Sequence, residues 1–324
     1  MKSSNKKILV TGATGFVGAN IARHFVSRGA DVAIFTRHGS DKWRINDILK
    51  KISDYPVDLL DERSVQKTVA HIKPAIILHA ATYGGYQHQK DTRKIFDVNF
   101  TGTVNLLKAC KETGFELFVH TGSSSEYGLK TKPIKEDSSL KPVTDYGVSK
   151  AAASLYCQSC ALRDRLPIAI LRLFSPYGYF DDASRLIPYL IGECLADRGP
   201  RLSSPFAVRD FIFIDDVLNA YVKVIENKNI SAGHIFNIGY GKQNPVGYVA
   251  GEVARLTGSP EASVRAGKIN PRLEPAMWQA DIDKARKMLG WRPKTGISKG
   301  LQKTIEWFKT NKKLYKNRMT QDVC

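Results

Sequence analysis

Tyr146 and Lys150 stand four residues apart in Tyr146-Gly147-Val148-Ser149-Lys150. A helix over this stretch puts both side chains on one face. An ammonium held beside a phenol favours the phenolate and lowers the tyrosine pKa, which suits tyrosine for proton transfer near neutral pH. Upstream, Gly122-Ser123-Ser124-Ser125-Glu126-Tyr127-Gly128 follows an apolar run. A hydroxyl there can hydrogen-bond the same substrate oxygen. Such a set moves a proton on or off an alcohol or carbonyl oxygen.

A second constellation binds phosphate. Thr11-Gly12-Ala13-Thr14-Gly15-Phe16-Val17-Gly18 follows the first apolar run and opens a helical period. Glycines allow a tight turn and a close backbone approach, and the helix start offers free N–H groups to a pyrophosphate. The second apolar run ends Phe35-Thr36-Arg37-His38, with no carboxylate before Asp41. An acid at that place holds the ribose 2′-hydroxyl of NAD, whereas an arginine accommodates the 2′-phosphate of NADP. Arg37 therefore favours NADP(H), with NAD(H) as the alternative.

The elements that must position these groups are legible as alternating runs. Residues 7–11, 31–36, 75–80, 116–121 and 168–174 read as strands, and 15–28, 62–72, 92–113 and 146–164 as helices. Continuous apolar strands alternating with helices predict an α/β fold, a Rossmann-like doubly wound parallel sheet. After Ser175 the chain becomes proline-punctuated. We expect a dinucleotide-binding domain over 1–175 and a smaller substrate-binding lobe over 176–324, with elements near 211–238 returning to the first domain. In the lobe, helices are expected near 184–197, 282–289 and 298–311. There is no internal repeat and no low-complexity segment.

The formal net charge is +18, from 49 Lys and Arg against 31 Asp and Glu. Residues 291–324 hold nine Lys and Arg against Glu306 and Asp322. A solvated basic tail is the expectation, so that removing 312–324 leaves turnover intact. The aromatics are not interleaved with basic residues in an RNA- or DNA-binding pattern, so no nucleic-acid partner is expected. No run is long enough to cross a membrane. Gly12, Gly15 and Gly18 interrupt the first apolar run before it can form a signal-peptide core. The five scattered cysteines suit a reducing cytoplasm rather than a disulfide framework, and Cys157-x-x-Cys160 falls in a helical period with no second pair or nearby histidine, so no metal is expected.

In order along the chain, TGATGFVG, His79-Ala80-Ala81, Val98-Asn99, the SSSEYG stretch, YGVSK, Leu171 to Gly178, Arg209-Asp210-Phe211 with Asp215-Asp216-Val217, and Leu289-Gly290-Trp291 resemble the extended short-chain dehydrogenase/reductase family. This is also called the NAD-dependent epimerase/dehydratase family of nucleotide-sugar enzymes. The resemblance spans about 6–310. It implies Tyr146 as catalytic acid or base, Lys150 as its electrostatic and ribose-binding partner, and Ser123 as the catalytic hydroxyl. It further implies cofactor contacts from the glycine-rich turn, Asp58, Leu59, Ala80, Ala81, Thr82 and Asn99, with the nicotinamide carboxamide docking along Ser175–Tyr177. On the substrate side it implies Ser124, and Arg209 as a clamp on the pyrophosphate of a nucleotide-diphosphate sugar. Arg272, shifted by about one residue from the family pattern, is a second clamp. The glycine- and tyrosine-rich run after Ala81 reads as a sugar-contacting loop carrying Tyr83.

Family dehydratases place Asp and Glu directly after the catalytic hydroxyl. Here Ser124 and Ser125 fall there and Glu126 comes one residue late, which in extended chain points it the other way. Dehydration is thereby disfavoured. Arg37 leans the reading towards NADPH-dependent reduction of a keto group, at C4 of an NDP-4-keto-6-deoxy sugar. The alternative is an epimerase that oxidises and re-reduces one carbon with bound NAD(P). A non-enzymatic dinucleotide-binding protein is disfavoured because both Tyr146 and Lys150 are kept. By resemblance, a homodimer through the helices near 92–113 and 146–164 is expected.

Overall fold

The computed structural model describes residues 6–86, 88–259, 265–266 and 275–315. Its strands are β1 (Ile8–Thr11), β2 (Val32–Thr36), β3 (Ser53–Pro56), β4 (Ile76–His79), β5 (Leu117–Ser123), β6 (Ile168–Leu173), β7 (Ser175–Tyr177), β8 (Arg201–Leu202), β9 (Val208–Arg209), β10 (Phe211–Phe213), β11 (Ile235–Ile238), β12 (Asn244–Pro245) and β13 (Arg265–Ala266). Its helices are α1 (Phe16–Val26), α2 (Glu62–Ile72), α3 (Thr92–Phe96), α4 (Gly102–Thr113), α5 (Asp145–Arg163), α6 (Leu186–Leu195), α7 (Ile214–Glu226), α8 (Lys228–Ser231), α9 (Val246–Thr257), α10 (Asp283–Leu289), α11 (Ile297–Thr310) and α12 (Lys312–Tyr315).

Seven strands form one parallel sheet in the order β11-β6-β5-β4-β1-β2-β3. This is a Rossmann-like doubly wound fold. Residues of β1, β2 and β4 alternate between two cores, with Val10, Ile34 and Leu78 on one face and Leu9, Ala33 and Ile77 on the other. Burial on both faces explains why these strands read as unbroken apolar runs. The crevice between β1 and β4, where strand order reverses, opens at the carboxyl ends of the strands, the place where such sheets bind ligands.

Three features depart from the sequence reading. The edge strand β3, Ser-Asp-Tyr-Pro, is only half-buried and so lacks an apolar signature. The helical period at 92–113 is broken by a π-turn over Asp97–Thr101, of the kind often found at functional sites. Helix α9 forms where no element was assigned.

Residues 211–238 return to the main body: β10 pairs with β7, α7 packs against α1, and β11 joins the sheet beside β6. Two buried carboxylates fasten the segments that follow β9. Asp210 accepts from the main-chain N–H groups of Tyr240, Gly241 and Ala280, and Asp216 accepts from those of Lys294 and Thr295.

The expectation of a solvated tail fails as far as Tyr315. Its ring is buried, 4.2 Å from Phe308 and 5.4 Å from Trp43 between centroids. Aromatic area removed from water outweighs the local abundance of lysine. Residues 316–324 lie outside the described residues.

Candidate active site

The glycine-rich turn is built for a close neighbour. Gly12 has φ +71°, and a Cβ on it would sit 2.6 Å from the main chain of Ala80 and Ala81. A Cβ on Gly18 would lie 2.2 Å from the Gly12 carbonyl oxygen. Only glycine fits either place. Gly15 caps α1 without a side-chain hydrogen bond, and the first turn of α1 carries no acid. Its N–H groups therefore stay available to an anion, which fits a dinucleotide pyrophosphate. Thr14, Gly15, Phe16, Val17 and Gly18 line a cleft of about 800 Å³.

The same cleft passes Arg37 and Ser40 after β2, then Asp58 and Leu59 after β3, then Ala80, Ala81 and Thr82 after β4. It continues to Ser123, Tyr146, Lys150 and Ser175. Arg37 is exposed, while its neighbour Thr36 is buried and donates to Asp54 Oδ1 at 2.7 Å. The sheet edge is thus fixed and the arginine left free to meet a ligand.

Ser123 ends β5. Its Oγ accepts from the Ser125 main-chain N–H at 3.1 Å, and its own N–H donates to Glu126 Oε1 at 2.7 Å. Helix α5 begins one residue before Tyr146 and is capped by Thr144, whose hydroxyl accepts from the Gly147 N–H at 3.0 Å. Lys150, one turn on, is 3% exposed. Burial raises the Tyr146 phenol above its usual range, against the lowering by Lys150 that the sequence predicts. A hydrogen bond with Ser123, the charge of Arg185 and a hydrogen bond with Thr82 pull it back. Burial pushes the Lys150 ammonium down to about 8, against the opposing charge of Glu126. These groups, each able to hold or exchange a proton, are brought together by the end of β5 and the start of α5.

Beneath them His79 is held neutral, its pKa pushed down to about 3 by burial and then by the Lys150 charge. Its ring nitrogens meet the hydroxyls of Thr11 at 2.7 Å and Thr103 at 2.9 Å.

Several predicted contacts fall elsewhere. Asn99 does not line the cleft. It is fully buried in the π-turn, where Oδ1 accepts from the Tyr83 N–H at 2.8 Å and the Thr82 hydroxyl at 3.0 Å. Its amide donates to the Tyr83 carbonyl and to Ser149 Oγ. Asn99 therefore shapes the loop that lines the cleft. Tyr177 also points away, packed against Phe211 and Phe213 with its hydroxyl towards the Ile297 carbonyl. On β7 it is Ser175 and Pro176 that line the cleft, while the Tyr177 ring is taken up by the aromatic packing behind it. Gln87 and Arg272 lie outside the described residues.

Of the residues expected to meet substrate, Tyr83, Ser124 and Arg209 line the cleft, with the Arg209 guanidinium 5.7 Å from the Trp278 ring. Sequence reasoning missed Arg44 and Arg185. Arg44 is buried and bonds the carbonyls of Phe180 (2.8 Å) and Thr14 (3.1 Å), tying the glycine-rich turn to the segment that follows β7. Neither arginine sits in a recognisable local pattern, and both reach the site from loops placed by tertiary packing.

Glu126 is wholly buried and turned from the cleft. Its carboxylate takes Arg172 Nε at 2.7 Å and Ser154 Oγ at 3.0 Å. Among the described residues, the carboxylates lining the cleft are Asp41, Asp58 and Asp182. Asp41 and Asp58 lie at the far, β2–β3 end, and Asp182 is engaged by Arg44 and Ser184.

A sequence profile for the NAD dependent epimerase/dehydratase family matches residues 8–239. The chain belongs to that family. Its relatives include the UDP-glucuronate 4-epimerase of Thermodesulfobacterium geofontis, 26% identical over 95% of this chain and 98% of that protein. Among solved structures, an epimerase from Methanothermobacter thermautotrophicus superposes with a TM-score of 0.89 at 26% identity, covering 97% of this chain and 95% of the other. The UDP-glucuronic acid 4-epimerase of Bacillus cereus, in complex with UDP-glucuronic acid and NAD, gives 0.84 at 26% identity over 94% and 99%. The chain is accordingly an enzyme-family member of the nucleotide-sugar class with a dinucleotide fold. No helix among the described residues is long and apolar enough to cross a membrane.

Proposed function

We propose that this protein is a nucleotide-diphosphate-sugar 4-epimerase. The observation that carries the reading is the meeting of Ser123, Tyr146, Lys150 and Thr82 at a cleft where Glu126 is locked to Arg172. The groups present handle one proton at one oxygen. With Glu126 sequestered, none of the carboxylates that line the cleft among the described residues stands beside them to remove a second proton, as dehydration requires. The epimerases among the relatives support the same choice.

A bound nicotinamide, reached from Ser175 and Pro176, supplies reversible redox exchange at the sugar carbon. Tyr146 Oη takes the proton of the C4 hydroxyl as that carbon is oxidised. Ser123 Oγ donates a hydrogen bond to the oxygen on which charge develops. The Lys150 ammonium stabilises the tyrosinate and reaches the cofactor ribose. After the sugar turns over in the cleft, Tyr146 returns the proton to the oxygen formed on the opposite face. Arg209 holds the pyrophosphate throughout, so the sugar pivots on a fixed anchor.

Arg37, with Ser40 beside it, favours the 2′-phosphate of NADP(H). The B. cereus relative holds NAD, and NAD(H) is the alternative. Arg37 also favours a second reading, NADPH-dependent reduction of a 4-keto-6-deoxy sugar. One experiment separates the two. The purified protein is incubated in D2O with UDP-glucose or UDP-glucuronate and no added dinucleotide, and C4 is followed by NMR. Epimerisation without deuterium at C4 supports the proposal. Turnover only of a 4-keto sugar with added NADPH overturns it.

We further propose a homodimer through α4 and α5. Val148, Leu155 and Leu162, spaced by seven residues on α5, are 40%, 51% and 70% exposed, an apolar stripe suited to a partner helix. Leu155→Glu should convert the species seen by light scattering to a monomer. The four buried thiols at 110, 157, 160 and 194 suit a reducing cytoplasm.

A further inference from the structure

Thr11 and His79 end β1 and β4 and stand opposite each other in register. Both are buried, as are Thr103 in the first turn of α4 and Asn99 in the π-turn. No step of the proposed reaction touches His79 or Thr103. Burying polar side chains is costly unless each finds its partners, and here the partners form one chain.

The hydrogens of that chain can be placed one by one. The Thr103 hydroxyl donates to the Asn99 carbonyl at 2.6 Å. Its single hydrogen is thereby spent, so across the 2.9 Å to His79 Nε2 the imidazole is the donor. Nδ1 of that neutral ring is then bare and accepts from the Thr11 hydroxyl at 2.7 Å. Thr11 Oγ1 in turn accepts the Ala81 N–H at 3.4 Å. Burial, with the Lys150 charge adding to it, keeps a second proton off the ring.

Beyond Thr103 the chain reaches the reacting end. The Asn99 side chain accepts from the Tyr83 N–H and the Thr82 hydroxyl, and donates to Ser149 Oγ at 2.9 Å. Ser149 Oγ donates to the Tyr146 carbonyl at 2.9 Å. Gly84 follows in the loop that Asn99 holds. A Cβ on it would lie 3.5 Å from Tyr146 Cδ2. Asn99 thus grips Tyr146 from two sides, through its own helix turn and through the loop against its ring.

We infer that His79 and Thr103 are positioning residues for Tyr146: the directed chain from Thr11 to Asn99 fixes the π-turn, and through it the place of the Tyr146 ring relative to the glycine-rich turn. The inference rests on Tyr146 as the acid–base group but not on the choice between epimerase and reductase.

Two variants separate this role from packing. Thr103→Val removes the hydroxyl and keeps the volume, whereas Thr103→Ser keeps the hydroxyl and loses a methyl. Both are assayed, with dinucleotide, on the nucleotide sugar that the D2O experiment shows to turn over, and their melting temperatures are recorded. Thr103→Val should lower kcat roughly 30-fold with substrate KM within about 3-fold of wild type, because a misplacement of about 1 Å costs up to about 100-fold. Thr103→Ser should keep kcat within about 3-fold although the lost methyl lowers its Tm. A loss of kcat that follows Tm and not the hydroxyl overturns the inference. His79→Phe, which keeps a ring in place, should match Thr103→Val, and the double variant should lose no more than either single one, because each breaks the same chain. Losses that multiply overturn it.

A readout without turnover checks the direction of the chain. In protein carrying isotope-labelled histidine, the NMR signals of His79, assigned by their absence from His79→Phe, should report the neutral Nε2–H tautomer from about pH 5 to 9. An Nδ1–H tautomer, or a ring that charges in this range, overturns the inference. Tyr146→Phe tests the reading beneath it. Full kcat in that variant overturns the role of Tyr146 and the inference with it. An inactive Tyr146→Phe beside a fully active Thr103→Val overturns the inference alone. A wild type that turns over none of these sugars overturns the nucleotide-sugar reading and the inference together.

Discussion

Tyr315 donates its phenolic hydrogen to the main-chain oxygen of Asp181 at 2.8 Å. That bond joins the basic end of the chain to the segment that carries Asp182 and Arg185 into the cleft. Phe180, immediately before it, is held at a positive φ of 62° and packs 4.7 Å from Trp307 between ring centroids. A non-glycine residue in that conformation persists only where its surroundings fix it. The aromatic cluster of Trp43, Phe180, Trp307, Phe308 and Tyr315 does so.

A chain ending after Asn311 should therefore lose both stability and turnover. Removing the Tyr315 ring costs about 3–5 kcal/mol by analogy with other buried aromatics, a fall in Tm of roughly 5–10 °C for a protein of this size. Tyr315→Phe should cost only about 1 kcal/mol, the value of one hydrogen bond. Thermal melts of the two variants check this, and equal melts for wild type and truncation would restore the solvated-tail view.

The Glu126–Arg172 pair makes a sharper claim, because both groups are buried, 0% and 2% exposed at the side chain. Glu126→Gln leaves a guanidinium uncompensated in the interior and should destabilise by roughly 3–5 kcal/mol. Adding Arg172→Met should recover most of that, since replacing both charges removes the desolvation cost along with the attraction. Activity per folded molecule should change little in Glu126→Gln. A large loss of turnover with unaltered stability would return Glu126 to the chemistry.

Arg37 bears on cofactor choice alone. Arg37→Asp should turn preference from NADP(H) towards NAD(H), because a carboxylate repels the 2′-phosphate and accepts from a 2′-hydroxyl. The measurement is the ratio of dissociation constants for the two dinucleotides, followed by quenching of protein fluorescence. An unchanged ratio removes Arg37 from the cofactor site.

How much of this the sequence disclosed follows from the range of each interaction. Gly12, Gly15 and Gly18, and Tyr146 with Lys150, are set by spacings within one turn or one helix, so local pattern shows them. Tyr177 misled because its ring is claimed by Phe211 and Phe213, partners more than thirty residues away that local pattern does not show. Asn99 misled because it sits beside the site in the chain while its amide spends all its hydrogen bonds on Tyr83, Thr82 and Ser149. Arg44, Arg185 and Tyr315 were invisible for the opposite reason. For Arg44 and Tyr315 the partners, such as Thr14 and Asp181, lie 30 to 134 residues away, and Arg185 enters the cleft only through the placing of its loop. The edge strand β3 escaped because half-burial at a sheet margin needs no apolar run.

Lys150 provides a test in which stability and function move in opposite directions. Its ammonium is buried and its pKa is lowered from 10.5 to about 8, so the folded state binds this proton less tightly than the unfolded state does. Below pH 8 the residue is charged in both states and the fold bears the full cost, on the order of 3 kcal/mol. Between about pH 8 and 10.5 the unfolded chain stays protonated while the folded one does not. Wild-type stability should therefore gain from this residue as pH rises through that window. Lys150→Met removes the charge at all pH values. It should raise the Tm of the cofactor-free protein at pH 7, with the advantage shrinking towards pH 10, while turnover falls by a factor of about 100 or more as Tyr146 loses its electrostatic partner. A variant that is less stable than wild type at pH 7, or whose advantage does not depend on pH, would show that the ammonium is better compensated in the fold than its burial implies.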